Sequence, residues 1–411
     1  MKQSENDIKW IFGERGPARL LDKRRRMDAS TYHNQVTMPQ IRIGFIGLST
    51  TGWAAIALFP SLQVPSVRSS YVIVALCTSS AASASIAAEH YGRQTGSPIK
   101  AYYGDDGVSQ LVRDPEVDLV VVSIKAPEHK DPVLAAIEAG KDVFVEWPAG
   151  SSLEETTEFQ RQAKAKGVKV MVGLQGRHSA ASNAVKDVIA SGRLGKVLSS
   201  TMVGFMSRES LYWGPTVNER REYIHHLRSG VSFAEIILGH QLDTFTHILG
   251  DFASVSATAA TMYPIATIVD SKSTPLPTIH ATSPDHVALS GILVSGALVS
   301  INYRAGYRTT PGRRRFLWEI DCENGSIRVE PAAETDNLMH IHNMAVYVCG
   351  EKIELGGTGL LAHLAATWLE YANEKHTQAV GKYATIEDAV KNRRLLEVIK
   401  HSARDGKTVH L

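Results

Sequence analysis

The chain has 411 residues, 44% of them hydrophobic and 21% charged, with a formal net charge of +2. That length suits about two domains with sizeable cores, and the near-neutral balance gives no sign of direct binding to nucleic acid. Three cysteines, at positions 77, 322 and 349, are too few and too scattered for a disulfide frame or a zinc site, so no metal is expected, and no apolar run approaches the length of a membrane span.

Residues 1–37 are polar, show no amphipathic period, and carry Lys23-Arg24-Arg25-Arg26. The basic run reads as a solvated tail, with a nuclear-import signal as the alternative. No apolar stretch of a secretory signal follows it, so a cytoplasmic placement is expected, extended to the nucleus if the run is an import signal. The fold is expected to begin at Met38.

Ile41 to Trp53, IRIGFIGLSTTGW, is an apolar run that ends in Gly47-Leu48-Ser49-Thr50-Thr51-Gly52 and passes directly into helix-compatible residues. The spacing is that of the dinucleotide-binding turn G-x-G-x-x-G, with Ser49 in the middle glycine's place. The first glycine permits a sharp strand-to-helix turn, the last lets the helix pack on the strand, and the helix's free N–H groups face a pyrophosphate. Ser49 adds a hydroxyl that either donates to a phosphate oxygen or narrows the approach. Gly47, Ser49, Thr50, Thr51, Gly52 and Trp53 are thus candidate cofactor residues. A second strand-like run, Tyr71 to Cys77, lies downstream at βαβ spacing. Thr78, Ser79 and Ser80 stand where an acidic residue would take the ribose hydroxyls. Without that carboxylate the position leans to NADP, with NAD the alternative.

Ala81 to Tyr91 and Asp105 to Val112 read as helices, and Asp118 to Ser123 as a continuous apolar strand suited to a buried parallel sheet. Asp131 to Ala139 is an amphipathic helix stopped by Gly140, and Asp142 to Val145 is a strand ending in Glu146-Trp147-Pro148. Alternating strands and helices predict a doubly wound α/β sheet with ligands at the carboxyl ends of its strands. The glycine turn, Lys125 to His129, and Glu146 to Pro148 converge on that edge. A partly desolvated lysine beside a cofactor's ring would suit a general acid or base, which makes Lys125 a candidate; pairing with Glu128 at the surface is the alternative. Cys77 and Cys349 sit in apolar runs and read as core residues.

The order of these motifs resembles the Gfo/Idh/MocA oxidoreductases: the G-x-(G/S)-x-x-G turn, Pro127 and His129 after a Val-rich strand, then Ala139-Gly140-Lys141, Glu146 and Pro148. The resemblance runs from Gln40 to the C-terminus. Gly52-Trp53, Phe144-Val145-Glu146-Trp147, Leu174-Gln175-Gly176-Arg177 and Pro284-Asp285-His286 are similar to the branch of the fungal galactose-regulon repressor, which keeps the fold and NAD(P) but regulates transcription. The resemblance implies an N-terminal Rossmann domain and a C-terminal α+β domain with a large, mostly antiparallel open sheet whose free face makes a homodimer. The expected division is an extension at 1–37, a dinucleotide-binding domain at 38–177, and a substrate-binding and dimerisation domain at 178–411. It also implies that Pro127, His129, Glu146, Trp147 and Gln175 face the cofactor. Two departures stand out. The family's working lysine, between the Glu and Pro of E-K-P, is Trp147 here, which cannot exchange protons. His240 matches the family's catalytic histidine, but the Asp expected four residues earlier is Ile236; Glu235 is adjacent, yet one helical step turns a side chain by about 100°.

Beyond this half, Ser152 to Lys166 reads as a helix and Val168 to Val172 as a strand that delivers Gln175 and Arg177, the latter a candidate clamp for a substrate carboxylate or carbonyl with a structural ion pair as its alternative. Ala181 to Ser191 reads as a helix and Val197 to Phe205 starts a new sheet. Tyr212, Trp213 and Tyr223 lie in a long connection that suits a binding loop for a ring-shaped substrate, or plain packing. Gly230 to Leu249 reads as a helix with His240 and Asp243 on one face, His240 as proton donor and Asp243 beside the substrate. Val287 to Leu293, Ala297 to Tyr303, Phe316 to Cys322 and Ser326 to Val329 alternate as antiparallel strands, and Leu360 to Glu374 and Ile386 to His401 close the chain as helices. Two functions follow. The first is an NAD(P)-dependent oxidoreductase acting on a hydroxyl or carbonyl of a sugar, a cyclic polyol or a ring-bearing secondary metabolite, with a small molecule as its partner. The second is a non-catalytic NAD(P)-sensing regulator.

Overall fold

The computed structural model describes residues 38–356 and 359–411; the polar extension and its basic run lie outside them. Six parallel strands form the first sheet: β1 (Ile41–Ile46), β2 (Tyr71–Thr78), β3 (Lys100–Tyr103), β4 (Leu119–Val122), β5 (Asp142–Val145) and β6 (Val170–Val172). Their order is β3-β2-β1-β4-β5-β6, so the chain reverses direction across the sheet between β1 and β4. All four residues of β4 and of β5 are buried, as their unbroken apolar runs require when helices cover both faces. Those helices are α1 (Phe59–Leu62, preceded by a π-turn at Ala54–Leu58), α2 (Ala81–Thr95), α3 (Gly104–Arg113), α4 (Lys130–Glu138) and α5 (Leu153–Lys166). Ser80 and Ser152 cap α2 and α5 by accepting from the N–H groups of Ser83 and Glu155. β3, too polar to read as a strand, pairs with β2 at the sheet edge.

After α6 (Ala180–Ala190) comes β7 (Val197–Ser207), then β8 (Thr216–Asn218), and then a helix that starts later than its apolar pattern suggests. Gly230 ends a short 3-10 turn, and Glu235 accepts from the N–H of Ser232 at 2.8 Å, so the π-turn Ala234–Leu238 leads into α7 (Gly239–Leu249). The remaining strands are β9 (Phe252–Ala260), β10 (Ile265–Val269), β11 (Pro275–His280), β12 (His286–Leu293), β13 (Leu298–Tyr307), β14 (Phe316–Cys322), β15 (Gly325–Pro331), β16 (Met344–Val348), β17 (Glu351–Ile353) and β18 (Val409–His410). Eight of them join β7 in one nine-stranded sheet, in the order β17-β16-β15-β14-β7-β13-β12-β9-β18, antiparallel except for the parallel pair β7 and β13. Its inward face packs Met202, Ile301, Tyr303 and Trp318 into the same core as the first sheet. A small sheet, β11-β10-β8, lies apart from it. Cys349 is a correction: it is exposed, at the turn between β16 and β17.

The two closing helices, α8 (Leu360–Thr377) and α9 (Ile386–Asp405), fasten the halves together. The Tyr71 hydroxyl of β2 donates to the Trp368 carbonyl at 2.6 Å, and the Trp368 indole donates to Ser61 at 2.8 Å. Arg393 of α9, 1% exposed, donates to the carbonyls of Gly150 at 2.9 Å and Gly230 at 2.8 Å. One buried cation thus ties the loop after β5 to the loop before α7. Among the described residues no helix is long and apolar enough to cross a membrane.

Candidate active site

The carboxyl edge of the parallel sheet is open at the turn that leaves β1. Gly47 has φ +100, and a Cβ there would fall 2.2 Å from the Ser123 carbonyl at the end of β4, so only glycine lets the two strand ends meet. Thr50, Thr51 and Gly52 are exposed. The Ser49 hydroxyl donates to the Thr51 carbonyl at 2.6 Å, and the Ser49 carbonyl accepts from the Tyr91 hydroxyl of α2 at 2.8 Å. The serine therefore folds into its own turn: its N–H donates to the Gly47 carbonyl at 3.1 Å and its hydroxyl accepts from the Thr51 N–H at 3.4 Å, while the exposed stretch Thr50 to Gly52 leaves room for a pyrophosphate at a helix start. At the end of β2, Thr78 is buried and donates to the Ser80 carbonyl at 3.3 Å, Ser79 is exposed, and Ser80 is occupied as a helix cap.

The next two loops carry unequal residues. Lys125 is exposed, without the partial burial expected of it, and its ammonium lies 5.7 Å from the centre of the Tyr223 ring. Pro127 is exposed in a short 3-10 turn. His129 is 1% exposed and turned inward: Nδ1 faces the carbonyls of Pro148 at 3.1 Å and Ala149 at 3.2 Å, and Nε2 faces that of Ile124 at 3.2 Å. Burial holds His129 below its ordinary range, with those carbonyls opposing. It stitches two loops together and does not reach the open edge, which corrects its expected role toward the cofactor. Glu146 lies beneath the rim, with Oε1 accepting from the Trp53 indole at 2.9 Å; desolvation pushes its carboxyl up to about 8, against the opposing pull of that hydrogen bond. Trp147 is 6% exposed and donates to the Glu235 carbonyl at 2.7 Å, so the residue in the lysine's place anchors the start of the α7 segment.

Across the cleft, the residues expected to hold substrate hold one another. Arg177 donates two bonds to Asp243, at 2.9 and 2.7 Å, and pairs with Asp388 at 2.9 Å, with its side chain only 10% exposed. Arg177 and Asp243 thus form, with Asp388, an internal ion pair joining the turn after β6 to α7 and α9, which is the alternative reading of Arg177. Gln175 is 2% exposed; its amide donates to the His340 carbonyl at 3.2 Å, while its Oε1 is buried without a partner. His340, from the segment between β15 and β16, stacks on His240 with ring centres 3.9 Å apart and planes 4° apart. Its Nδ1 lies 3.0 Å from the Gln241 amide. Burial lowers His240 to about 3, so its ring is neutral near pH 7 and has no proton to give as an imidazolium. Trp213 is 1% exposed and packs edge-on to Phe233 at 5.1 Å, which makes it a core residue. Tyr212 lies under the Arg221 guanidinium at 4.3 Å, and Tyr223 under Lys125.

The structure thus brings the glycine turn, Trp53, Glu146 and the Lys125–Tyr223 pair to one edge, and turns His129, Trp147, Gln175, Arg177, Asp243 and Trp213 inward. Sequence reasoning missed His340, whose segment has no periodic pattern, and the Trp53–Glu146 bond, which joins residues 93 apart. Among the described residues no group of His, Cys, Asp and Glu is arranged to hold a metal ion.

Two family models match this chain. Residues 41–174 match the family model described as oxidoreductase family, NAD-binding Rossmann fold, and residues 181–331 match that of the Gal80p C-terminal domain. The dehydrogenase aclE of Aspergillus oryzae is 31% identical over 378 residues, 89% of this chain and 97% of that protein. The galactose/lactose metabolism regulatory protein GAL80 of Kluyveromyces lactis is 26% identical over 76% of this chain and 68% of its own length. The solved super-repressor mutant of Gal80p from Saccharomyces cerevisiae superposes with a TM-score of 0.80 at 21% identity, over 91% of this chain and 99% of that one.

Proposed function

This chain belongs to the Gfo/Idh/MocA oxidoreductase family, and we propose that it is an active NAD(P)-dependent oxidoreductase with a non-standard proton site. In this reading a hydride passes between the nicotinamide and a carbon bearing the hydroxyl or carbonyl of a sugar, a cyclic polyol or a ring-bearing secondary metabolite. The observation that carries it is the open edge itself: a glycine turn exposed at Thr50, Thr51 and Gly52, beside Lys125 and Tyr223, with the half-buried Glu146 carboxyl next to it. Similarity to a dehydrogenase along 97% of that protein's length supports it.

The residues take revised roles. Thr50 to Gly52 hold the pyrophosphate, and Thr78 and Ser79 line the ribose site, where either nucleotide fits. Tyr212, Tyr223 and Lys125 form the mouth that receives the substrate ring. His240, neutral, offers a hydrogen bond and no transferable proton. Outward-facing Ile292 and Leu298 are exposed amid serines and threonines on the free face of the nine-stranded sheet, which supports a homodimer through that face. The domain division near residue 177 and a cytoplasmic or partly nuclear placement belong to the same reading.

One observation favours the sensor alternative. His240 is covered by His340, and position 147 carries an indole, so the pair that moves protons in the family is absent or enclosed. Nicotinamide fluorescence decides between the two: NADH and NADPH are titrated into the full chain, and sugars, cyclic polyols and cyclic ketones are then added. Binding with turnover of any member of the panel establishes the enzyme. Binding with none moves the chain to the sensor, and no binding overturns both.

A further inference from the structure

Glu146 is half-buried, and it combines isolation and position in a way that structural packing does not need. It follows β5, and its backbone N–H donates to the Val122 carbonyl at 3.2 Å, which sets it level with the end of β4. The Trp53 indole, one residue beyond the glycine turn, reaches Oε1. The other oxygen, Oε2, lies against Gly173 just after β6, where a Cβ would come within 2.7 Å of it. The chain therefore keeps a space for this carboxyl from three sides, β1's helix, β5 and β6, at the edge where nucleotides bind.

No cation answers it. On the β4 loop, Lys125 is exposed toward Tyr223 and His129 faces three backbone carbonyls. Beyond β6, Arg177 is taken by Asp243 and Asp388. The sole hydrogen bond to the Glu146 carboxyl among the described residues comes from a neutral indole, and burial raises its pKa accordingly, to about 8. A purely structural carboxyl in such a place would be expected to carry a paired cation or to be replaced by an amide.

We infer that Glu146 exchanges the proton of the substrate hydroxyl, in place of the lysine that Trp147 displaces. The inference rests on the oxidoreductase reading above. In the oxidative direction the substrate C–H bond breaks with its electron pair going to oxidised nicotinamide, the O–H bond breaks with its proton going to Oε2 of Glu146, and the C=O bond forms. Reduction reverses each step. The arrangement is electrostatically closed. A positive ring is matched by a carboxylate, and a neutral ring by a carboxylic acid, so ring and carboxyl together carry no net charge before or after transfer.

The charge match makes a test that needs no substrate. NAD+ and NADH, and NADP+ and NADPH, are titrated into the full chain by calorimetry at pH 7 in two buffers of different ionisation enthalpy, which counts protons released. Oxidised nucleotide is expected to release most of one proton and reduced nucleotide none. Glu146→Gln is expected to release none, to bind reduced nucleotide within about threefold of wild type, and to bind oxidised nucleotide about tenfold more weakly, since the amide cannot become the carboxylate that matches the positive ring. The infrared band of a protonated carboxyl, read on wild type alone, should vanish when NAD+ or NADP+ binds, which keeps the test independent of how well the variant folds. Binding without a difference in proton release between oxidised and reduced nucleotide overturns the inference and leaves the oxidoreductase reading standing. Failure of all four nucleotides to bind overturns that reading and this inference with it. With any substrate that turns over, Glu146→Gln should lower kcat by about 100-fold at saturating nucleotide; an unchanged kcat also overturns the inference.

Discussion

Two glutamates, one half-buried and one fully buried, lie on opposite sides of Trp147, and they are held in opposite states. Glu146 sits at the end of β5 with an indole for company, and desolvation lifts it to about 8. Glu235, whose own carbonyl accepts the Trp147 indole, is 1% exposed, yet its carboxyl is held below the ordinary range. Desolvation pushes Glu235 upward too, but Lys400 and Arg393 of α9 more than offset it, together with bonds from the backbone and hydroxyl of Ser232. The more deeply buried of the two is thus the one held ionised, so burial alone does not set the charge of a carboxyl; the partners do. Glu235 has the partners of a structural joint, at the point where α9 grips the α7 segment. Glu146 lacks them at the point where a ligand would arrive.

The largest effect should come from breaking the joint. Glu235→Ala leaves Arg393, 1% exposed, without its carboxylate and Lys400 without a partner on the π-turn before α7, and should cost about 3–5 kcal/mol in urea unfolding. A loss below about 1 kcal/mol would show that Glu235 is as dispensable as a surface pair. Its pH signature is also fixed: a depressed carboxyl contributes stability above its unfolded pKa and loses it as pH falls through the folded one.

Glu146→Gln should do the reverse. Below the ordinary value of 4.5 the acid is neutral whether folded or not, so the variant changes little. Between 4.5 and about 8 the unfolded chain gives up a proton that the folded chain keeps, and wild-type stability falls as pH rises. Above that range the variant should be the more stable by about 2–4 kcal/mol, measured as the difference in urea midpoints at pH 9 and pH 5 on protein without nucleotide. Equal midpoints at both pH values would mean that Glu146 ionises like an exposed acid and that the contrast with Glu235 is empty. Arg177→Met offers a third comparison on the α7 side. It leaves Asp243 buried and unpaired, so it should cost about 2–4 kcal/mol of stability while leaving nucleotide affinity within about threefold, as binding titrations would read.

What could be read ahead of the structure follows the range over which each feature acts. The glycine turn, the buried β4 and β5 and the closing helices come from local period and spacing, and they appear close to where the sequence puts them. The site depends on contacts between distant segments. Arg177 and Asp243 are 66 residues apart, and nothing in either stretch says that the guanidinium will meet a carboxylate inside the chain before any substrate does. His240 stands at the family's histidine position, but its partner His340 lies in an aperiodic connection and encloses it. Lys125 fared differently for a simple reason. Its place at a strand end was legible, while its exposure depends on which way the long connection carrying Tyr223 folds back. The departure at Trp147 was legible as a loss. Only the structure shows that the indole ties down Glu235's segment and that the neighbouring Glu146 is left without a cation.

The smallest effect is the one that measures how much the indole contributes. The Trp53 hydrogen bond lowers the Glu146 pKa, because an N–H donor favours the ionised carboxylate over the neutral acid. Trp53→Phe keeps most of the ring and removes the donor, so the carboxyl should become harder still to ionise. A hydrogen bond to a charged group exceeds one to a neutral group by about 1 kcal/mol, which corresponds to an upward move of about one pH unit or less. The infrared carboxyl band followed against pH reads the midpoint directly, since the fluorescence of Trp53 itself is lost in this variant. A midpoint that falls toward the ordinary carboxylate value would mean that the phenyl ring lets water in and that burial depends on the indole. A midpoint that rises modestly would show that the bond trims a shift that burial creates. That second outcome is the one expected, because a single neutral donor stands here against the two cations that hold Glu235 ionised.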